Sequence, residues 1–276
     1  FYLLQCRPQS FERSNTRVVL PEGVGDEQIL FTANKYVTDG LITGIAHIVY
    51  VSPEGYDALE SRADLLDVGK AVSLLNTILP KRRFVLMGPG RWGSRGDIKL
   101  GVNVNYSDIN NTAALIEMAC KKGNYVPDLS FGTHFFQDLV EAAIRYLPLY
   151  PDDADVVFNR HVFMEAPNLL AQILPAFARL KNVLRVIDVS QVRPGCALNL
   201  VMSGDENRAM AYFAPRGGAQ NEQANPFAKA VAPIPSATAA SHDDPWIWRT
   251  RMAEHFAQAI NAARFGVHAL YLTGST

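Results

Sequence analysis

The sequence predicts an α/β fold, a central mixed sheet flanked by helices, and three observations lead there. Short apolar runs alternate with amphipathic stretches along most of the chain. One run, FVLMG at 84–88, is apolar throughout, the pattern of a strand covered on both faces. Residues 67–79 place Val68, Val72, Leu75 and Leu79 on one helical face, with Ala71 and Ile78 beside them.

The elements follow in order. FYLLQCRP reads as a strand halted by Pro8, and residues 11–27 are polar and irregular. QILFTAN and LITGIAHIVYVSP are β-rich segments bounded by Gly40 and Pro53. A helical region runs from Pro53 to Pro80, and FVLMG follows it. Asn103, Asn105, Asn110 and Asn111 mark a polar loop, as turn formers first and ligand contacts second. AALIEMAC is a strand closed by Cys120, expected to be a buried hydrophobe. FGTHFFQDLVEAAIRYL is the clearest helix, with Phe135, Phe136, Leu139, Val140, Ala143, Ile144 and Leu147 on its apolar face. NLLAQILPAFARL is helical with an interruption at Pro175, and NVLRVIDVSQV, ALNLVMS and MAYF are strands. Residues 215–245 lack periodicity and are rich in Ala, Pro, Gly and Ser, so a flexible linker is expected there. WIWRTRMAEHFAQAINAARFG is then a helix closed by Gly266, and VHALYLTGST a strand entering a tight turn.

Composition excludes several classes. The chain has 276 residues, 48% of them hydrophobic, enough for one large domain or two small ones. A net charge of -1 gives no global pull toward nucleic acid or an anionic membrane. No apolar run reaches the roughly 18 residues of a membrane span, and no signal peptide is recognisable. Cys6, Cys120 and Cys196 are isolated and odd in number, which argues against a disulfide framework or a cysteine zinc site. A cytoplasmic location is expected. Both ends read as cut, so the chain is expected to be an internal piece of a longer polypeptide.

Two stretches carry candidate chemistry. In GPGRWGSRG, Gly88, Gly90 and Gly93 permit close backbone approach and positive φ, so that consecutive N–H groups can face one anion. Arg91 and Arg95 offer bidentate contacts to phosphate or carboxylate, and Ser94 a further hydrogen bond. Trp92 has no obvious structural role in such a polar loop. The alternative is a surface crossover with solvated arginines. In GTHFFQDL, His134 and Asp138 lie one helical turn apart, spaced to ligate one metal or to work as an acid–base pair, against the alternative of a solvated face. Gly132 and Thr133 leave the first helical N–H groups open to an anion. Both stretches are expected at the carboxyl edge of the sheet and in one pocket. His47 reads as a satisfied core or edge residue, and KRR at 81–83 as cations at a helix end.

FYLLQCRP resembles the closing strand of the ATP-grasp nucleotide-binding domain of phosphoenolpyruvate synthase and pyruvate phosphate dikinase. The resemblance implies that Gln5 and Arg7 face ATP and its phosphates. GPGRWGSRGDIKLGVNV and FGTHFFQDLVE resemble a bacterial group of PEP/pyruvate-binding-domain proteins, over about residues 28–150. RFGVHALYLTGST resembles the first strand and Gly-Ser turn of a polymerase-β-like nucleotidyltransferase, which implies that Gly274 and Ser275 hold a triphosphate. Four segments follow: the end of an ATP-grasp-like domain at 1–16, a central α/β domain at 17–214, the linker at 215–245 and the start of a nucleotidyltransferase-like domain at 246–276. The function so implied is that of an ATP-dependent phosphotransferase-like protein. ATP and Mg would be held through neighbouring domains, and a small anionic substrate or nucleotide would be the partner. A non-catalytic ligand-binding or regulatory domain is the alternative, and a principal nucleotidyltransferase activity a third.

Overall fold

The computed structural model describes residues 18–93, 97–121 and 126–216. The expectations for FYLLQCRP with Gln5 and Arg7, for Ser94 and Arg95, for the linker beyond Arg216, and for the C-terminal helix with Gly274 and Ser275 lie outside the described residues.

The chain runs β1 (Ile29–Ala33), β2 (Gly40–Ile45), β3 (His47–Val51), α1 (Pro53–Asp57), α2 (Arg62–Ile78), β4 (Phe84–Pro89) and β5 (Ala114–Met118). It continues α3 (His134–Glu141), β6 (Arg145–Leu149), α4 (Arg160–Glu165), α5 (Leu170–Ile173), β7 (Leu184–Asp188), α6 (Val189–Val192), β8 (Cys196–Ser203) and β9 (Arg208–Pro215). Among the described residues the strands form two sheets. One is mixed, in the order β6-β5-β4-β3-β7, with β3 to β6 parallel and β7 antiparallel to β3. The other is antiparallel, in the order β1-β9-β8-β2.

Period-two alternation builds two cores. Val49, Val51, Phe84, Leu86, Leu115, Tyr146, Leu184 and Val186 face the helical layer. Their neighbours Ile48, Tyr50, Val85, Met87, Ile116, Leu147 and Ile187 face the second sheet and pack on Leu198, Leu200, Met202, Ala211 and Phe213. The fold is thus mixed α/β, as the sequence predicts. One flank of the central sheet is covered by α2, α3 and α5, and the other mainly by a second sheet. α2 buries Leu65, Val68, Ala71, Val72 and Leu75, whereas Ile78 is exposed. Among the described residues no helix is long and apolar enough to cross a membrane.

The expected helix over 131–147 is two elements. α3 stops at Glu141, and Ala143 turns the chain with φ 55°. Arg145–Leu149 then pairs in parallel with Ala114–Met118. Ile144 and Leu147 continue the helical period only by coincidence, because the hydrogen bonds offered by the β5 edge decide the segment. NVLRVIDVSQV likewise leaves its strand at Asp188, whose carboxylate caps α6 through the Ser190 amide at 2.8 Å. Cys120 is half-buried just beyond β5. His47 is half-buried, and its Nδ1 has no hydrogen-bond partner, contrary to the satisfied role expected.

Arg82 corrects the reading of KRR as cations for the preceding helix. Its guanidinium donates to Thr112 O at 2.6 Å and to Ala142 O at 2.7 Å, so it caps α3 instead. Replacing Arg82 by Ala removes two charge-assisted bonds to backbone carbonyls. The expected loss is about 1–3 kcal/mol of stability, read from urea unfolding.

Candidate functional site

The site is built where β4 and β5 end. β4 is wholly apolar up to its last two residues because it lies in the middle of the sheet, between β3 and β5. Its last pairs with β5 are Gly88 with Glu117 and Pro89 with Met118. A Cβ at Gly88 would stand 2.8 Å from the Trp92 ring and 2.9 Å from Val51 Cβ, so only glycine lets the indole approach the strand end this closely. Trp92 is among the largest fully buried side chains. It is a core residue of the helical side, which overturns the view that it lacks a structural role. Its Nε1 is buried without a hydrogen-bond partner.

Gly90 adopts φ 63° and forms an antiparallel bridge with Gly101. From there the loop is zipped down residue by residue. Gly90 N donates to Met118 O at 2.9 Å, Arg91 N to Leu100 O at 2.8 Å, and Gly93 N to Val102 O at 3.4 Å. Trp92 N donates to Glu117 Oε1 at 2.8 Å. Four successive amides are therefore consumed inside the protein. The bare-backbone cradle expected of Gly88, Gly90 and Gly93 is not formed by them; the glycines serve close packing. What remains for a ligand among the described residues of the loop is the Arg91 side chain. It is half-buried, and it makes no hydrogen bond or ion pair among the described residues.

Sequence reasoning assigned no role to Glu117, which organises this edge. It points from β5 into the helical side and is fully buried. Besides the Trp92 amide it accepts the Ser130 amide at 2.6 Å, the Ser130 hydroxyl at 2.6 Å and the Tyr146 hydroxyl at 2.7 Å. Burial pushes its carboxyl up to about 7, against the pull of these hydrogen bonds. Burial and the adjoining carboxyl also raise the Tyr146 phenol, which stays a neutral donor. One signal was present in the sequence: a lone acid inside AALIEMAC, an otherwise apolar strand.

Ser130 links this edge to α3. Its carbonyl accepts the Thr133 amide at 3.0 Å and the Thr133 hydroxyl at 2.6 Å, and Thr133 Oγ1 caps the Phe136 amide at 3.3 Å. A Cβ at Gly93 would meet the Phe135 ring at 2.7 Å. The loop after β4 and the start of α3 therefore share one edge, as the sequence led us to expect. His134 and Asp138 are both exposed and make no hydrogen bond to each other. Asp138 lines an open hollow of about 230 Å³ together with Tyr106, Glu141 and Ala142. The expected acid–base pair is thus not joined. Among the described residues no three His, Cys, Asp or Glu side chains stand together as metal ligands.

Comparison with protein-family models, with curated proteins and with solved structures finds no match to this chain.

Proposed function

We propose that the chain is part of a cytoplasmic, ATP-dependent phosphotransferase-like protein, of the kind its sequence resembles. Its described domain receives a small anionic ligand, a phosphate or carboxylate compound, where β4 and β5 end. The observation that carries this reading is Arg91, half-buried and without an acidic partner among the described residues, just past the carboxyl end of the parallel strand β4. An arginine so placed loses part of its hydration without compensation until an anion arrives. The start of α3, carrying His134, adjoins the same edge and adds favourable dipoles for negative charge.

Calorimetric titration with sulfate, pyrophosphate, phosphoenolpyruvate and ATP tests this. Arg91→Ala is expected to weaken whichever ligand binds by roughly tenfold to a hundredfold, the loss of one charge-assisted contact. An unchanged affinity removes the site.

A second reading is favoured by the closure of the Gly90–Gly93 amides. A loop bonded at every residue is built to hold a ligand still rather than to fold over a reaction. The domain is then a non-catalytic binding or regulatory module. ATP turnover by the full-length polypeptide that Arg91→Ala abolishes supports the first reading, and full-length turnover that Arg91→Ala leaves unchanged while anion binding is lost supports the second.

A further inference from the structure

We infer that Glu117 is the positioning residue of this anion site and takes up a proton when the site fills; the inference rests on the reading that an anion binds beside Arg91. Geometry supports the first half. The amide held by Glu117 Oε1 belongs to the peptide that joins Arg91 to Trp92. The Ser130 amide and hydroxyl held by the same carboxyl lead, through Thr133, to the first turn of α3. One buried group therefore sets the backbone on which Arg91 stands against the helix that carries His134.

A count of protons supports the second half. Ser130 Oγ lies 2.6 Å from Glu117 Oε1 and 2.9 Å from Trp92 O. A hydroxyl has one hydrogen and cannot donate to both. With Glu117 ionised, the hydrogen goes to the carboxylate, and the buried Trp92 carbonyl faces an oxygen that offers it nothing. With a proton on Oε1, the carboxyl donates to Ser130 Oγ, Ser130 donates to Trp92 O, and the whole chain is satisfied. The network thus has two arrangements that differ by one proton. The raised carboxyl places the exchange in the neutral range.

Several titratable groups sit on the elements packed around Glu117. They are Arg91 on the loop, Asp97 and Lys99 on the strip it is zipped to, and Asp128 before Ser130. His134, Asp138 and Glu141 lie on α3, and Arg145, Tyr146 and Tyr150 on or beside β6. Of these, Tyr146 alone bonds to it, and that phenol remains neutral. An anion at Arg91 adds negative charge to the edge that the Glu117 carboxyl already occupies. It therefore favours the neutral acid, and binding draws in a proton.

Carbonyl-13C arginine combined with 15N tryptophan marks a single peptide, Arg91–Trp92, because Trp246 follows Pro245 and Trp248 follows Ile247. In the full chain its amide shift is expected to titrate with a midpoint near 7. It should be flat in Glu117→Gln and unchanged in His134→Asn, which separates the carboxyl from the nearby imidazole. Sulfate keeps its charge across this range and serves as the probe. Its affinity is expected to fall up to about tenfold per pH unit above the midpoint, with proton uptake visible in buffers of different ionisation enthalpy. Both effects should vanish in Glu117→Gln and persist in His134→Asn. A flat Trp92 amide overturns the inference and leaves the anion site standing if sulfate still requires Arg91. Sulfate that binds without proton uptake also overturns it. Failure of sulfate, pyrophosphate, phosphoenolpyruvate and ATP alike to bind overturns the anion site itself, and the coupling with it.

Discussion

Replacing Glu117 by alanine is expected to cost the domain more than about 4 kcal/mol, a large part of the 5–15 kcal/mol typical of folded domains. Three buried donors lose their acceptor at once: the amides of Trp92 and Ser130 and the Tyr146 hydroxyl. The Ser130 hydroxyl is the exception, since it can turn wholly to Trp92 O. Denaturant unfolding reads the loss, and a midpoint like that of the parent would show that the network is not load-carrying. Glu117→Gln should cost less and should also change the pH dependence. The folded carboxyl sits near 7 against an ordinary value of 4.5. Below the lower value both folded and unfolded states hold the proton, and the acid's full contribution to stability is present. Between the two values only the folded state holds it, so stability falls as pH rises, by up to about 3 kcal/mol, and levels off above the folded value. The difference between parent and Glu117→Gln isolates this slope from the other carboxylates.

Gly90→Ala is expected to be the most damaging single methyl in the domain. A Cβ at this position would fall on the Leu100 carbonyl oxygen, well inside contact distance, and Gly90 holds φ 63°. The oxygen it meets is backbone and the Cβ is fixed directly to the backbone, so neither can rotate away. Relief requires opening the bridge to Gly101 and the Arg91–Leu100 bond beyond it. The expected cost is above about 3 kcal/mol, together with loss of anion binding. Gly132→Ala is the control. Gly132 has a similarly positive φ of 79°, but nothing lies within 4 Å of an added Cβ. It should lose only the roughly 1–2 kcal/mol of the left-handed conformation. Equal losses in the two variants would show that strain, not collision, decides both.

The middle strand of the mixed sheet and the helical stretch over 67–79 were legible in the sequence because continuous apolar runs and a 3.6-residue period each have one physical cause. The loop after FVLMG was legible as unusual, but the part its glycines play was misread. Glycines that serve ligand approach and glycines that serve packing look alike until the Trp92 ring and the Leu100 carbonyl are in place. β6 was hidden because RYLPL continues the pattern of the helix before it, and only the free edge of β5 makes it a strand. The second sheet was hidden because its strands carry the same alternation as the first, and partner choice is not written in periodicity. Glu117 was passed over because a charge in a strand reads as solvent-facing when its neighbours in space are unknown.

The antiparallel sheet has one further consequence, and it is mechanical. β1 lies at the sheet edge and pairs with β9 from Ile29 opposite Tyr212 to Ala33 opposite Ala209. The chain therefore enters β1 and leaves β9 at the same end of one antiparallel pair. Tension between residues 18 and 216 would act across that pair rather than along it, opening its hydrogen bonds one rung at a time, as a zipper does, instead of loading them together in shear. A pair loaded in this way is expected to open at smaller forces than one loaded in shear, whatever the domain's resistance to urea. The domain would part first where it begins and ends, with the edge at Arg91, on the other sheet, still intact.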